Sequence, residues 1–191
     1  DLLINNIKLP EIKVFKDLGI YISKDLKWNE HINYLYKIAK TTCYQILKSF
    51  KTNSASILTK LFKTYVRPKL EFSTQIWSPH LKKDINKIES VQRSFTRHIC
   101  SRCNISYTSY NDRMIKFGLK SLEYRRWEFD LLILYKIING KYKSFFNQFF
   151  NFSQNKYQLR GNNLKIKCKH DFQNSQWQGA FFHRAKAMWN R

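Results

Sequence analysis

The sequence predicts a mainly α fold: a helical bundle, preceded by a small β element and followed by a helical segment with a short strand. Two observations predict it. Apolar residues recur at helical spacing over most of residues 31–138, whereas residues before 24 alternate as strands do. With 191 residues, 43% of them hydrophobic and 16% aromatic, the chain is long enough to bury a core, and its composition is not that of a disordered protein.

The first 23 residues predict a β-hairpin or the edge of a sheet. Two short apolar runs flank the turn dipeptide Asn5-Asn6, and "KVFKDLGIYIS" then alternates as a strand. Gly19 within it indicates a close backbone approach. Because the chain begins with "DLLI" and no methionine, we expect it to be a piece of a longer protein.

Three helices follow in the predicted bundle. The first covers residues 31–50. The second begins after Asn53-Ser54, and Pro68 is expected to kink it rather than end it, since apolar spacing continues beyond the proline. Ser78-Pro79 has the pattern of an N-cap and first helical residue, which predicts a third helix over 80–100.

The later part of the chain predicts three more helices. They cover 111–117, ended by Gly118, then 122–138 after Ser121, and the stretch "QWQGAFFHRAKAMWN". The helix over 122–138 is apolar on nearly all sides and is therefore predicted to be the central core helix. Its charges are expected to pair within the helix, Arg125 with Glu128 and Arg126 with Asp130. Between these helices, 145–163 predicts an aromatic-rich loop, and "LKIKCKH" predicts a short basic strand.

The charge of the chain is strongly positive. Its formal net charge is +22 with a pI near 10.0, and neither 31–70 nor 131–170 contains an Asp or Glu. This excess predicts a polyanionic partner, with nucleic acid favoured over an anionic membrane. A coding bias towards A and T could also raise the lysine content, and it predicts a protein that a polyanion column does not retain at physiological salt.

The first helix carries a stripe of cations opposite its apolar face. A solvated helix normally mixes charge signs, whereas this stripe holds only lysines, interrupted by a tyrosine within about 80° of helix surface. That pattern suits phosphates together with a sugar or base. The predicted nucleic-acid-binding residues are Lys37, Lys40, Tyr44, Lys48 and Lys51, with Arg93 and Arg97 on the third helix as a secondary group.

The four cysteines do not predict a metal site or disulfides. Cys100-x2-Cys103 could bind zinc with Cys168 and either His170 or His98, but one CxxC without a second is a weak pattern. Two small residues at a helix end are the favoured interpretation. No catalytic residue and no metal ligand is assigned in this chain.

Four ordered motifs carry a resemblance to a known family. They are "FKDLGIYISKDLKWNEHI", "TYVRPKLEFSTQIWSPHLKKDINKIESVQRSFTR", "SLEYRRWEFDLLILYKIING" and "LRGNNLKIK…FFHRAKAMWN". Together they resemble the C-terminal part of the reverse transcriptases of non-LTR (LINE-type, jockey-like) retrotransposons. The resemblance covers essentially the whole chain in order.

The resemblance implies a division into three parts. Residues 1–30 would be the end of the palm, with the primer grip at Lys16, Asp17, Leu18 and Gly19. Residues 31–104 would be the thumb, and 105–191 the connecting segment. The implied function is that of a C-terminal fragment of an RNA-directed DNA polymerase that grips its primer–template duplex. The implied partners are an RNA template, the RNA/DNA hybrid, and the upstream palm and fingers of the same polypeptide.

The resemblance also implies what this chain lacks. The family's catalytic centre needs an aromatic-x-Asp-Asp motif for two divalent cations, and the sequence has no Asp-Asp pair. We therefore expect no polymerase activity and no cofactor in this chain, with Mg²⁺ bound through upstream residues. We also expect no membrane partner, no small-molecule site, and a location in the cytoplasm and nucleus rather than secretion. The alternative is a decayed or domesticated nucleic-acid-binding module with no polymerase attached.

Overall fold

The computed structural model describes residues 11–106, 108–141, 151–152, 165–167 and 179–190 in full, and only the backbone of 3–4, 7–8, 150 and 168. The fold is mainly helical, as predicted, with short antiparallel strands at both ends. The Asn5-Asn6 turn and most of the predicted loop over 145–163 lie outside the described residues. The same is true of the side chains proposed as zinc ligands at Cys168 and His170.

Two small antiparallel hairpins open the chain. Strands β1 (Leu3–Ile4) and β2 (Ile7–Lys8) form the first, and β3 (Val14–Asp17) and β4 (Ile20–Ser23) form the second. The predicted single strand across Gly19 is wrong: Leu18 and Gly19 have φ of 44° and 87° and form a two-residue turn. Two successive positive φ values suit a tight hairpin, and Gly19 supplies one of them at no steric cost.

The bundle consists of two long helices and a broken one between them. Helix α1 covers Asn29–Ser49 and α5 covers Lys82–Arg102. The connecting helices are α2 (Ala55–Leu61), a π-helical segment (Phe62–Val66), α3 (Arg67–Glu71) and α4 (Thr74–Trp77).

Two predicted features of the connecting helices differ in the structure. Helical structure continues past Pro68, as predicted, but with the π-helical segment just before it, and it breaks at Ser73, whose φ is 53°. The predicted start of the third helix at Ser78-Pro79 is wrong. The Ser78 N–H donates to the Thr74 carbonyl and ends α4, so α5 begins at Lys82.

One hydrophobic core joins the hairpin to the bundle. Its fully buried side chains include Ile32, Phe62, Trp77 and Phe95, and it continues through Phe117 into the later helices. Phe62 and Phe95 stack with their ring centroids 5.0 Å apart. This core spans residues 20–122 and so crosses both expected boundaries, after 30 and after 104. The division into palm, thumb and connecting parts stays a prediction.

The C-terminal helices pack on the bundle and form a second, smaller core. Helices α6 (Tyr110–Lys116) and α7 (Leu122–Ile138) begin with the side-chain caps Ser109 and Ser121, and Gly118 follows α6 with φ 55°. Helix α8 (Phe181–Trp189) packs Ala185 against Leu134 of α7. Strands β5 (Phe150–Phe152) and β6 (Ile166–Cys168) pair beside α8, and the predicted alternation in β6 holds, with Ile166 buried and Lys167 exposed.

Helix α7 is not the apolar central helix that the sequence predicts. Its buried face carries Arg126 and Asp130 beside Leu122 and Leu134, while Leu132 and several aromatic side chains remain exposed. Its predicted internal ion pairs are also wrong, because both Arg125 and Asp130 pair with other helices. The hydrophobic pattern alone could not show which side of α7 these long-range partners occupy.

Candidate nucleic-acid interface

The predicted stripe lies on the outward side of α1, except for Lys51, which follows the end of the helix at Ser49. Lys37, Lys48 and Lys51 are exposed, Tyr44 is 63% exposed, and Lys40 is half-buried. The opposite side of α1 packs into the core through residues such as Ile32 and Ala39. The amphipathic pattern therefore fixes which side of α1 faces solvent.

Helices α1 and α5 run parallel, and polar contacts link them at regular intervals. Lys87 of α5 donates to Asn33 of α1, and Lys40 of α1 donates to Ser94 of α5 at 3.0 Å. Both pairs are 54 residues apart in sequence and seven residues apart along each helix. Because seven residues make about two helical turns, the contacts fall along one line between the helices. This line is the seam of a two-helix surface.

Arg102 closes the seam at the C-terminal end of α1. Its guanidinium donates to the carbonyls of Leu47 at 2.6 Å and Phe50 at 2.8 Å. Those carbonyls are acceptors left over at a helix end, where a cation is favoured by the helix dipole. Arg102 is thus a structural cation. No pattern in the sequence indicates this contact, because it depends on the parallel register of α1 and α5.

The lysines of this surface contact neutral side chains: a hydroxyl, an amide and aromatic rings. The Lys48 ammonium lies 5.9 Å from the centroid of the Tyr44 ring, and Lys40 and Lys87 lie 6.0 and 5.5 Å from that of Tyr36. Within the described residues, no carboxylate forms a salt bridge with the four lysines of the α1 stripe. Hydroxyl, amide and ring contacts orient an ammonium group without neutralising it. The positive charge therefore remains available to a partner.

The two secondary arginines are both exposed on α5. The Arg93 guanidinium carbon lies 5.0 Å from the centroid of the Tyr110 ring. Tyr110 in turn donates to the buried Glu89, and this burial raises the pKa of the tyrosine. Since Ser94 faces α1, helical geometry puts Arg97 on the solvent side between the seam and Arg93. We call the outward surface formed by the α1 stripe, Arg93 and Arg97 the α1/α5 face.

One predicted primer-grip residue lies close to this face. The Lys16 ammonium is 5.3 Å from the ring centroid of Tyr21 and 5.4 Å from that of Tyr34, which is one turn before Lys37 on α1. Asp17 is exposed, and Leu18, at the tip of the β3–β4 turn, is 86% exposed. The structure thus brings Lys16 near the α1 stripe and puts Leu18 and Gly19 at the end of a projecting turn. Primer contact by these residues stays a prediction.

A buried histidine fastens the hairpin to α1. The Tyr21 backbone N–H donates to the Nδ1 atom of His31 at 3.3 Å, and the His31 ring meets the Trp77 ring edge-on with centroids 5.0 Å apart. Burial lowers the pKa of His31 to about 4, so the imidazole is neutral at physiological pH. This contact holds β4 against the helix that carries the stripe.

The strongest ion pairs lie elsewhere, around α7. Arg125 forms a two-pronged pair with Glu71 of α3, and Arg184 of α8 donates to Asp130 at 3.1 Å. The hydrogen bond to Glu71 raises the pKa of Arg125. Arg126 is only 2% exposed, and its two terminal nitrogens have no hydrogen-bond partner among the described residues. These cations are internal and do not contribute to the α1/α5 face.

No metal site is apparent in the described part of the chain, where no three His, Cys, Asp or Glu side chains form a metal-binding group. Burial raises the pKa of the Cys43 thiol to about 12, and burial also raises that of Cys103. Both thiols therefore remain protonated at neutral pH. None of the helices in the described ranges has the length and apolar character that a bilayer crossing requires.

Comparison with known proteins identifies a relative in a nematode. The chain is 31% identical over 137 residues to the uncharacterized protein B0403.1 of Caenorhabditis elegans, and the match covers 70% of this chain and 69% of that protein. No protein-family model and no solved structure matches the chain.

Proposed function

The chain belongs to the same family as the C. elegans protein B0403.1, and we propose that it binds a nucleic-acid duplex through the α1/α5 face. We further propose that it is the C-terminal part of a non-LTR retrotransposon reverse transcriptase, where the duplex is the RNA/DNA hybrid of primer and template. The first proposal rests on geometry and charge. The second adds the four ordered sequence motifs.

The observation that carries the proposal is the charge of the α1 stripe, whose four lysines form no salt bridge with the described residues. Lys37 and Lys48 are exposed about three turns apart on α1, Lys51 is exposed just beyond the end of that helix, and acids are absent from the sequence between His31 and Leu70. A row of cations of this length matches the phosphates along a duplex backbone. Tyr44 adds an exposed ring that can contact a sugar or base.

Contacts of this kind hold a duplex without reading its sequence. Lysines bind phosphates as point charges, and a polymerase must move over every sequence. An RNA/DNA hybrid approaches the A form, whose wide and shallow minor groove a pair of parallel helices can cover. Lys16, beside Tyr34, would extend the basic surface towards the hairpin.

The chain does not fit the role of the catalytic centre itself. It has no Asp-Asp pair, and the described residues hold no cluster of carboxylates that could bind the Mg²⁺ ions of a polymerase. In this proposal the palm and fingers of the same polypeptide supply those residues. The chain holds the duplex product against them.

The test is the salt dependence of duplex binding. Lys37→Glu/Lys48→Glu reverses two exposed charges that form no salt bridge with the described residues, whereas Lys40 also contacts Ser94 and is less suitable. We expect weaker binding to a fluorescent RNA/DNA hybrid and a slope of log K against log salt that is smaller by about 2, one for each lost phosphate contact.

The matched control is Lys82→Glu/Lys83→Glu, which reverses two exposed lysines in the first turn of α5. We expect it to change the slope by much less than the stripe variant. Equal slopes for the two variants would contradict the assignment of the face. Equal affinity for hybrid, duplex DNA and single strands would favour a general nucleic-acid-binding module over a polymerase fragment.

A further inference from the structure

A second group of lysines lines a pocket between the broken helix and the end of α6. The pocket has a volume of about 420 Å³. Lys60 of α2, Lys63 of the π-helical segment and Lys116 of α6 lie around it, together with Thr59 and Phe117. None of these residues belongs to the α1/α5 face.

The charge of the pocket is not balanced by the protein around it. No Asp or Glu lines it, and in the described ranges none of its three lysines forms a salt bridge or donates a side-chain hydrogen bond. The Lys63 ammonium lies beside Gly118, just after the C-terminal end of α6. A Cβ atom built on that glycine would be 3.9 Å from the ammonium nitrogen. A helix end contributes about half a negative charge at most, which cannot offset three cations. The pocket therefore favours an anion.

A buried hydroxyl in the same pocket lacks a partner. Thr59 is 6% exposed, and its Oγ1 atom has no hydrogen-bond partner among the described residues. Leaving a buried hydroxyl unpaired is destabilising, so a site usually provides an acceptor or donor for it. A ligand oxygen could supply that partner. Lys63 also lies in a π-helical segment, an irregularity that is frequent at functional sites.

The lining of the pocket also includes apolar side chains. Phe117 and Ile105 line it together with the lysines, so a bound anion would have hydrophobic groups near it. Inorganic phosphate alone offers nothing apolar to contact them. A nucleotide has both parts: a phosphate for the lysines, and a sugar and base for the apolar side chains.

We propose that this pocket binds a nucleotide through a terminal phosphate. A phosphomonoester carries close to two negative charges at pH 7, whereas each phosphate inside a strand carries one, so three lysines favour the terminal group. The nucleotide is either free or the 5′ end of a nucleic-acid strand. This site goes beyond duplex binding by the α1/α5 face and does not depend on it.

The test compares short single strands with and without a 5′-phosphate. At physiological salt the unaltered chain should bind a fluorescent 5′-phosphorylated pentanucleotide about tenfold more tightly than the same strand with a 5′-hydroxyl, equivalent to one charge-assisted contact. In Lys63→Gln/Lys116→Gln this ratio should fall to about one. Lys82→Gln/Lys83→Gln removes the same charge from α5 and should keep the tenfold ratio.

A second variant keeps the proposal testable if the double substitution disturbs folding. Thr59→Val removes the hydroxyl with little change of volume and should lower the ratio while the thermal unfolding midpoint stays near that of the unaltered chain. Equal affinity for both strands in the unaltered chain would overturn the proposal. So would a ratio that survives both pocket variants.

Competition distinguishes the two sources of the nucleotide. If adenosine monophosphate displaces the phosphorylated strand at a concentration similar to that of the strand itself, the pocket binds free nucleotide. If only strands compete, it binds a strand end. Inorganic phosphate that competes as well as adenosine monophosphate would overturn the nucleotide assignment. Lys37→Glu/Lys48→Glu should weaken duplex binding and preserve the 5′-phosphate ratio, so each proposal can fail separately.

Discussion

Cationic side chains have different kinds of partner on the α1/α5 face and around α7. On the face, Lys40 and Lys48 contact a hydroxyl or a ring. Around α7, Arg125 pairs with Glu71 and Arg184 with Asp130. Both regions are rich in cations, but the lysines of the α1 stripe form no salt bridge with the described residues, whereas Arg125 and Arg184 do. The difference shows that the net charge of a chain indicates a partner, whereas the groups beneath each cation indicate where that partner binds.

The largest expected effect comes from breaking the ion pair between α7 and α8. Asp130→Ala should destabilise the fold by about 3–5 kcal/mol, because it leaves the largely buried guanidinium of Arg184 without its carboxylate partner. Urea denaturation measures it. Glu11→Ala, which removes the exposed partner of Lys24, should cost no more than about 1 kcal/mol. Equal losses would show that the α7 pair is no more important than a surface pair.

An intermediate loss of stability is expected at low pH. It comes from His31, which lies on the buried side of α1. The folded-state pKa of His31 is about 4, below its value of 6.5 in an unfolded chain, so between these values the unfolded state binds the extra proton. Stability should be fully present above pH 6.5 and should decline by on the order of 2 kcal/mol as the pH falls to 4.

Urea titrations at several pH values measure this decline. His31→Asn removes the ionisable ring while its amide oxygen can still accept from the Tyr21 N–H, so its stability should change much less over the same window. An equally steep pH dependence in the variant would show that another group titrates there.

The smallest effect distinguishes the structural cation Arg102 at the end of α1 from the lysines that we propose bind the duplex. Arg102→Ala should cost about 1–2 kcal/mol of stability, because the Leu47 and Phe50 carbonyls lose a charged donor at the end of α1. Lys48→Ala should change stability by less than about 0.5 kcal/mol and yet weaken hybrid binding. Thermal unfolding and fluorescence anisotropy on both variants test this, and a Lys48→Ala variant that loses stability and keeps its affinity would reverse the two roles.

The long helices could be predicted from sequence because their periodicity is a local signal. The predicted first helix over 31–50 is Asn29–Ser49 in the structure, and the predicted cap Ser121 does begin α7, whereas Ser78 does not begin α5. The exposed side of α1 also follows from its apolar spacing alone. The hairpin turn could not be predicted as easily, because leucine rarely adopts the positive φ that Leu18 has.

The arrangement of the candidate sites depends on contacts between distant residues. Nothing in the sequence indicates that Lys40 lies beside Ser94, or that Lys63 and Lys116 line one pocket. The same limit explains the wrong prediction for α7, where the partners of Arg125 and Asp130 are each 54 residues away in sequence. A pattern within one helix specifies its faces, but it does not specify what packs on them.

The π-helical segment before Pro68 has a consequence for the spacing of the core. Leu58, Phe62, Val66 and Leu70 are all fully buried at four-residue intervals, although an ordinary α-helix would turn such a row steadily away from the core by about 40° at each step. The wider turn between Phe62 and Val66 corrects that drift. If the same residues were wound as a regular α-helix throughout, Leu70 would lie about 120° around the helix from Leu58 and would turn towards water. The wider winding of this short stretch therefore keeps the residues before and after it on one buried face.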